Sequence, residues 1–396
     1  MRLLTKSSVG VTLLFVSLTT IQFSYADSHP TGVPWTDSSK ERSPTVNVIF
    51  DTDMWSDIDD ALALAMLHAL QDRHEIKLVA VTVSTDLKWC ASYVDLVDTF
   101  YHHSNVPIGL VRDGVGIDAF RKMFPDTRWP VTRYTEILSE EKTRSGSLLY
   151  PHRLIDGNKA PNAVSLLRKT LAGEPDGSVI MIQVGYSTNL ARLLDSGADA
   201  ASALNGRDLI RRKVRLLSIM AGNFTESFVN GQKLARGSPE FNLMVDVPSA
   251  QKLFSNWPTP IVDSGFEIGL AMLYPAVSIE RDFSYVKHHP IAETYRKYAE
   301  ETSSKWPHDH ATFDLTSVLY AARPDRNYFS LSKPGRITVL LDGGSRFEES
   351  QDGTHRYLIQ SEEQRARTLE AMVMLVSQPP VSSGYSGMPR SSPRHQ

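Results

Sequence analysis

The chain has 396 residues, 41% apolar and 22% charged, and its 42 Lys and Arg against 45 Asp and Glu leave a net charge of −3. That is an ordinary globular balance, which excludes a disordered chain, a collagen-like repeat and a strongly basic nucleic-acid binder. Cys90 is the only cysteine, so a multi-disulfide scaffold is excluded as well, and the length suffices for one large α/β domain or two medium ones.

Residues 1–26 read as a leader. Arg2 and Lys6 make a positive start, an apolar stretch diluted by Thr and Ser follows, and Ser24-Tyr25-Ala26 ends in a small residue. This is the pattern of a secretory signal peptide cleaved near Ala26, implying an exported protein. The apolar run is shorter than the roughly 20 residues of a membrane span. Residues 27–44, rich in Ser, Thr, Pro and Asp, are expected to be a flexible lead-in, and residues 378–396, with four prolines among Ser and Gly, a disordered tail.

Between them, residues 45–377 read as one domain. Short β-branched runs over 46–50, 78–83, 106–111, 179–184, 214–220 and 337–341 predict strands. Longer patterns over 59–70, 92–101, 162–171, 291–300 and 362–375 predict helices. This alternation predicts an α/β fold with a mainly parallel central sheet flanked by helices on both faces, whose ligands bind beyond the carboxyl ends of the strands.

The first strand runs straight into Asp51-Thr52-Asp53-Met54-Trp55-Ser56-Asp57-Ile58-Asp59-Asp60 and then an apolar helix. Five carboxylates in ten residues repel one another. A helix N-terminus accounts for Asp59 and Asp60, and a hard cation such as Ca²⁺ or Mg²⁺ accounts for more. An EF-hand starting at Asp51 fails, because Ser56 stands where Gly is needed and Leu62 where the bidentate Glu belongs. A phosphatase-type Asp-x-Asp loop carrying Mg²⁺ is nearer, although Trp55 occupies its Thr/Val position.

Later segments carry further polar groups at strand ends. Gly185-Tyr186-Ser187-Thr188-Asn189-Leu190-Ala191 follows the fourth predicted strand, with Ser187 or Thr188 as a helix N-cap. Ala221-Gly222-Asn223 follows the fifth. In Glu240-Phe241-Asn242, an extended backbone points Glu240 and Asn242 the same way. Ala311-Thr312-Phe313-Asp314 opens a further apolar helix. His308 and His310 sit just upstream and read as surface residues.

These four ordered pieces, from about Val46 to about Phe329, resemble the inosine-uridine-preferring nucleoside hydrolases. The loop between Asp53 and Asp59 is about two residues longer than the commonest form, and Asp57 is an extra acid. The resemblance implies a nucleoside hydrolase-like fold with a Rossmann-like core, a Ca²⁺ cofactor and hydrolysis of a small-molecule ribonucleoside to ribose and free base, the chemistry of purine and pyrimidine salvage. It also implies Asp53 as general base, Asp53, Asp60, the Val184 carbonyl and Asp314 as calcium ligands, and Asp59, Glu240, Asn242 and Asn223 as ribose contacts. Phe313 stands where many members have a His that assists departure of the base. That departure leaves open an exported nucleoside- or ribose-binding protein, and a homo-oligomer is likewise open. No nucleic-acid partner is expected, nor a membrane one after leader cleavage.

Other patterns read blandly. Gly114-Val115-Gly116-Ile117-Asp118-Ala119 fits a dinucleotide fingerprint, but Pro125 and Pro130 interrupt the following helix, so a surface loop is expected. The basic run 207–215 reads as a solvated edge.

Overall fold

The computed structural model describes residues 45–125, 131–229 and 231–381. The leader and lead-in, and residues 382–396 of the tail, lie outside the described residues. Gln378 and Val381, by contrast, are tied to the body of the fold: Arg73 donates to the Gln378 side chain at 2.6 Å, and the Val381 amide donates to Asp72 at 3.2 Å.

All six predicted runs form strands. They are β1 (Val46–Thr52), β2 (Ile76–Thr85), β3 (Ile108–Val115), β4 (Val179–Gln183), β5 (Val214–Met220) and, later in the chain, β7 (Gly335–Val339). Three more join them: β6 (Ile261–Ser264), β8 (Ser345–Glu349) and β9 (His355–Ile359). Their order across the sheet is β8-β7-β9-β6-β5-β4-β1-β2-β3. Pairing is parallel from β3 through β9, and β7 and β8 close that edge antiparallel.

Both faces of the sheet are buried, as a parallel sheet requires. Alternate residues of each strand enter different cores. Val48 and Phe50 of β1 and Ile180 and Ile182 of β4 pack with helices α1 (Asp59–Asp72), α2 (Lys88–Phe100), α6 (Pro290–Glu301), α7 (Phe313–Ala322) and α8 (Glu362–Val376). Ile49 and Met181, one residue out of phase, pack with α3 (Ala163–Gly173) and α4 (Thr188–Asp195). The period of two therefore sorts one chain into two cores. Every residue of α1 from Asp59 to Leu70 is buried, so this helix is enclosed on all sides, with Asp59, Asp60 and His68 as its buried polar residues. Among the described residues, no helix is long and apolar enough to cross a membrane.

β1 lies between β2 and β4, so the chain turns one way after β1 and the other way at β4. This is the topological switch point at which open α/β sheets hold ligands. The two strand ends are drawn tightly together. The Val184 amide donates to the Asp51 carbonyl at 2.8 Å, and a Cβ on Gly185 would lie 2.4 Å from the Asp53 backbone nitrogen and 2.6 Å from Ser84 Oγ. Only glycine fits that approach.

Two local expectations change. Gly114 and Val115 belong to β3, and a short helix spans Ile117–Met123, so the fingerprint-like stretch is ordered structure rather than a surface loop. Ser187 holds the N-cap position of α4 without capping it; its hydroxyl instead accepts from Gln183, and Thr188 donates to Asp246 at 2.5 Å. The basic run behaves as expected, with Arg211 exposed and paired to Asp208.

Replacing Gly185 by Ala should push the β4 end away from Asp53 and destabilise the fold by about 1–3 kcal/mol, read by denaturant unfolding. Wild-type stability in Gly185→Ala would mean that this contact is slack.

Candidate active site

The acidic loop leaves β1 and returns as α1, and each carboxylate has a distinct surrounding. Asp51, the last acid within the strand, accepts from Thr82 Oγ1 at 2.5 Å and from Asn189 Nδ2 at 2.8 Å, bracing β1 against β2 and α4. Burial pushes its pKa up to about 7. Asp53 accepts from Ser56 Oγ at 3.2 Å, and its backbone carbonyl accepts from Thr85 at 2.8 Å. Burial, aided by the nearby Asp57 charge, raises it also to about 7. Asp60 accepts from the Thr52 hydroxyl and from the Met54 amide.

The longer loop is anchored by Trp55, which is 1% exposed. Its indole N–H donates to the Thr132 carbonyl at 2.9 Å, and its ring meets Phe120 edge-on at 5.0 Å. Trp55 therefore packs inward and frees the polar residues beside it to face the cavity.

That cavity encloses about 570 Å³, within the range of small-molecule sites. Asp53, Asp57, Asp59, Asp60, Asp314, Glu240, Asn242, Ser56 and Val184 line it with polar groups. Met220, Val229, Leu234, Pro239, Phe241, Met244, Phe266, Phe313 and Tyr298 complete it, with Phe266 and Phe313 stacked at 5.0 Å. Among the described lining residues there is no Lys or Arg.

Oxygens of Asp59, Asp60 and Asp314 lie within 4.8 Å of one another. All three carboxylates are buried, and burial together with the charges of neighbouring acids, Asp53 and Asp57 among them, holds each well above the ordinary carboxylate range. Asp59 is partly committed, because its Oδ2 accepts from the Asp314 backbone amide at 3.0 Å. Hard oxygen donors around a deficit of positive charge fit a divalent cation, and the donor set contains no sulfur that would favour a soft metal.

Glu240 and Asn242 reach the cavity by a different geometry from that expected. Glu240 alone is extended; Phe241–Val245 forms the short helix α5. The Glu240 carboxylate caps it, accepting from the amides of Asn242 and Leu243, and also from Gly222 at 3.1 Å. Asn242 donates from Nδ2 to the Val184 carbonyl at 2.7 Å and to the Met220 carbonyl at 3.2 Å. It thus ties the ends of β4 and β5 together, while the second lone pair of the Val184 carbonyl stays free for another partner.

Asn223 is not brought to the cavity. Its backbone amide donates to Ser345 Oγ at 3.0 Å, and its side-chain amide is buried without a partner among the described residues. His310 is not a surface residue. Its Nε2 pairs with Asp57 Oδ1 at 2.5 Å, and His308 lies 3.4 Å from its Nδ1. Burial opposes the charge on both partners, yet each outweighs it for the other: Asp57 is held below its ordinary pKa and His310 above its own. Tyr298 escapes sequence reasoning altogether, because it appears there only as one apolar position of a helix.

An α/β scaffold with buried carboxylates at its switch point, three of them close enough together to hold a metal ion, beside a small-molecule cavity fits a metal-dependent hydrolase. The family model of the inosine-uridine preferring nucleoside hydrolases matches residues 48–376, and the chain belongs to that family, whose enzymes act on N-glycosyl bonds. Similar solved structures include a purine-preferring ribonucleoside hydrolase from Gardnerella vaginalis, with a TM-score of 0.59 at 16% identity over 84% of this chain and 98% of that one. They also include a plant nucleoside hydrolase, with a TM-score of 0.60 at 17% identity over 85% and 100%, and the inosine-uridine preferring nucleoside hydrolase from Bacillus anthracis, with 0.57 at 16% over 84% and 99%. At such identity these structures establish the shared fold. Comparison with curated proteins gives no match.

The buried acids set a pH dependence. A carboxyl raised from 3.8 in the unfolded chain to about 7 in the fold, as Asp53 is, costs nothing when protonated in both states. Its penalty grows as pH rises through that interval, because the folded state then holds the extra proton. A cation binds the ionised form and removes the penalty. The stabilisation by added calcium, measured as the Tm difference between calcium and chelator, should therefore grow from pH 5 to pH 8. A hundredfold excess over Kd should give about 2.7 kcal/mol. A difference independent of pH would contradict this reading.

Proposed function

We propose that this chain is an exported, calcium-dependent ribonucleoside hydrolase that releases ribose and free base. The observation that supports it most is the convergence of Asp53, Asp59, Asp60, Asp314, Glu240 and Asn242 on one cavity from three separate stretches of chain. The leader-like composition of residues 1–26 supports export. The Mg²⁺ phosphatase reading has less support, because no Lys or Arg among the described lining residues is available to clamp a phosphate.

Asp53, Asp60, Asp314 and the Val184 carbonyl would hold the ion. When bound, calcium supplies a Lewis acid that orders sugar hydroxyls and makes a water more acidic. The remaining work falls to the protein. Asp53, held ionised beside the ion, accepts the proton of the attacking water. Asp59 accepts a hydrogen bond from a ribose hydroxyl. Glu240, whose oxygens retain lone pairs beyond the backbone amides they cap, accepts a second, and Asn242 holds the rim of the sugar pocket in place. Hydrogen bonds to the sugar that strengthen as C1′ becomes oxocarbenium-like contribute to the rate.

Purified protein supplied with purine and pyrimidine ribonucleosides should release free ribose, and a calcium chelator should stop it. Asp53→Asn should lower kcat by about 10³-fold, in the range for loss of a general base, while the unfolding transition stays intact. Full activity in Asp53→Asn would remove Asp53 from the mechanism. For export, the secreted protein should begin at Asp27, read by N-terminal sequencing; an uncleaved leader would contradict that part.

A further inference from the structure

Cleaving a ribosyl–nitrogen bond puts negative charge on a poor leaving group, which needs a hydrogen-bond donor at the base as well as a base for the water. Phe313, beside the acidic cluster, offers none: its ring is stacked on Phe266. Among the cavity-lining residues outside the acid loop and its carboxylate and amide partners, one carries an O–H or N–H, and that is Tyr298.

Tyr298 projects from α6, with its ring edge-on to His310 at 5.3 Å and to Tyr134 at 6.4 Å. Its hydroxyl is within hydrogen-bonding reach of the Asp57 carboxylate. Asp57 in turn is held by His310 Nε2 at 2.5 Å and by the Ile58 amide at 2.6 Å. The Tyr134 hydroxyl donates to the Asp57 backbone carbonyl at 2.7 Å, fixing the same loop residue from another side. Asp57 thus keeps an ionic partner and a backbone donor even when the Tyr298 proton turns toward the cavity. Asp57 and Ile58, both within the loop between Asp53 and Asp59, take part in this support.

We propose that Tyr298 is the leaving-group donor of this enzyme, oriented by Asp57 and His310 as positioning residues. The inference rests on the nucleoside hydrolase reading of the same cavity. The C1′–N bond breaks with its electron pair going to the ring nitrogen, and Tyr298 shares its hydroxyl proton with that nitrogen as the charge develops. The water oxygen bonds to C1′ and gives a proton to Asp53. The base departs hydrogen-bonded to Tyr298 and takes its own proton from solvent, leaving the tyrosine neutral.

The test compares wild type, Tyr298→Phe and His310→Gln on ribonucleosides and on p-nitrophenyl β-ribofuranoside, whose phenolate leaves without such help. Tyr298→Phe should lose roughly 100-fold in kcat on nucleosides with KM little changed, and should keep its rate on the nitrophenyl riboside. His310→Gln should show a smaller loss of the same kind, confined to nucleosides. Equal losses on both substrate classes would reduce Tyr298 to a structural residue, and undiminished nucleoside turnover in Tyr298→Phe would exclude it as donor. Wild type inactive on every nucleoside and on the nitrophenyl riboside would overturn the hydrolase reading itself, a result distinct from either.

Discussion

Repulsion among buried carboxylates is the constraint around which this protein is arranged. Asp53, Asp59, Asp60 and Asp314 are all buried within one small region, and burial drives every one of them toward its neutral form. Isolated ionised carboxylates cannot be removed from water at tolerable cost. The fold meets part of the cost with donors: the Thr52 hydroxyl and the Met54 amide to Asp60, Ser56 to Asp53, and the Asp314 amide to Asp59. When the acids are ionised the rest calls for a positive charge, which a divalent cation held by Asp59, Asp60 and Asp314 would supply. For Asp57, in the same loop, His310 supplies it directly.

The scaffold exists to make that crowding stable. β1 and β4 meet at the switch point, Gly185 lets their ends approach within backbone contact, and Asn242 ties the ends of β4 and β5 through the Val184 and Met220 carbonyls. The buried helix α1 holds Asp59 and Asp60 in its first turn, where the free amides and the helix dipole favour acids. Trp55, pinned to Thr132 and Phe120, keeps the loop from collapsing into the cavity.

Much of this was legible in the sequence because it is local. The β-branched runs of β1, β2, β4 and β5, the continuous apolar run of α1 and the helical pattern of α8 declare their elements, and the acids follow β1 without interruption. What escaped is non-local or short. β6 has four residues, two of them Asp263 and Ser264, and no alternation to reveal it. Residues 240–242 read as extended because a period of two suits Glu240 and Asn242 equally well; the helix start is set by the Glu240 carboxylate capping the amides after it. His310 and Asp57 are far apart in sequence, and only the packing of α6 and the strand pairing of His310 with Tyr274 bring them together. Asn223, at the right strand end by sequence, is buried with its backbone tied to Ser345 and does not line the cavity.

The most direct test of the account is a calcium titration of the purified, chelator-treated protein by calorimetry, alongside Asp314→Asn. One ion per chain should bind to wild type and none, or only far more weakly, to the variant, because the variant removes a buried charge from the centre of the cluster. Wild type that binds no divalent cation, yet remains folded at neutral pH, would mean that the carboxylates are accommodated without one and would contradict the claim on which the rest depends.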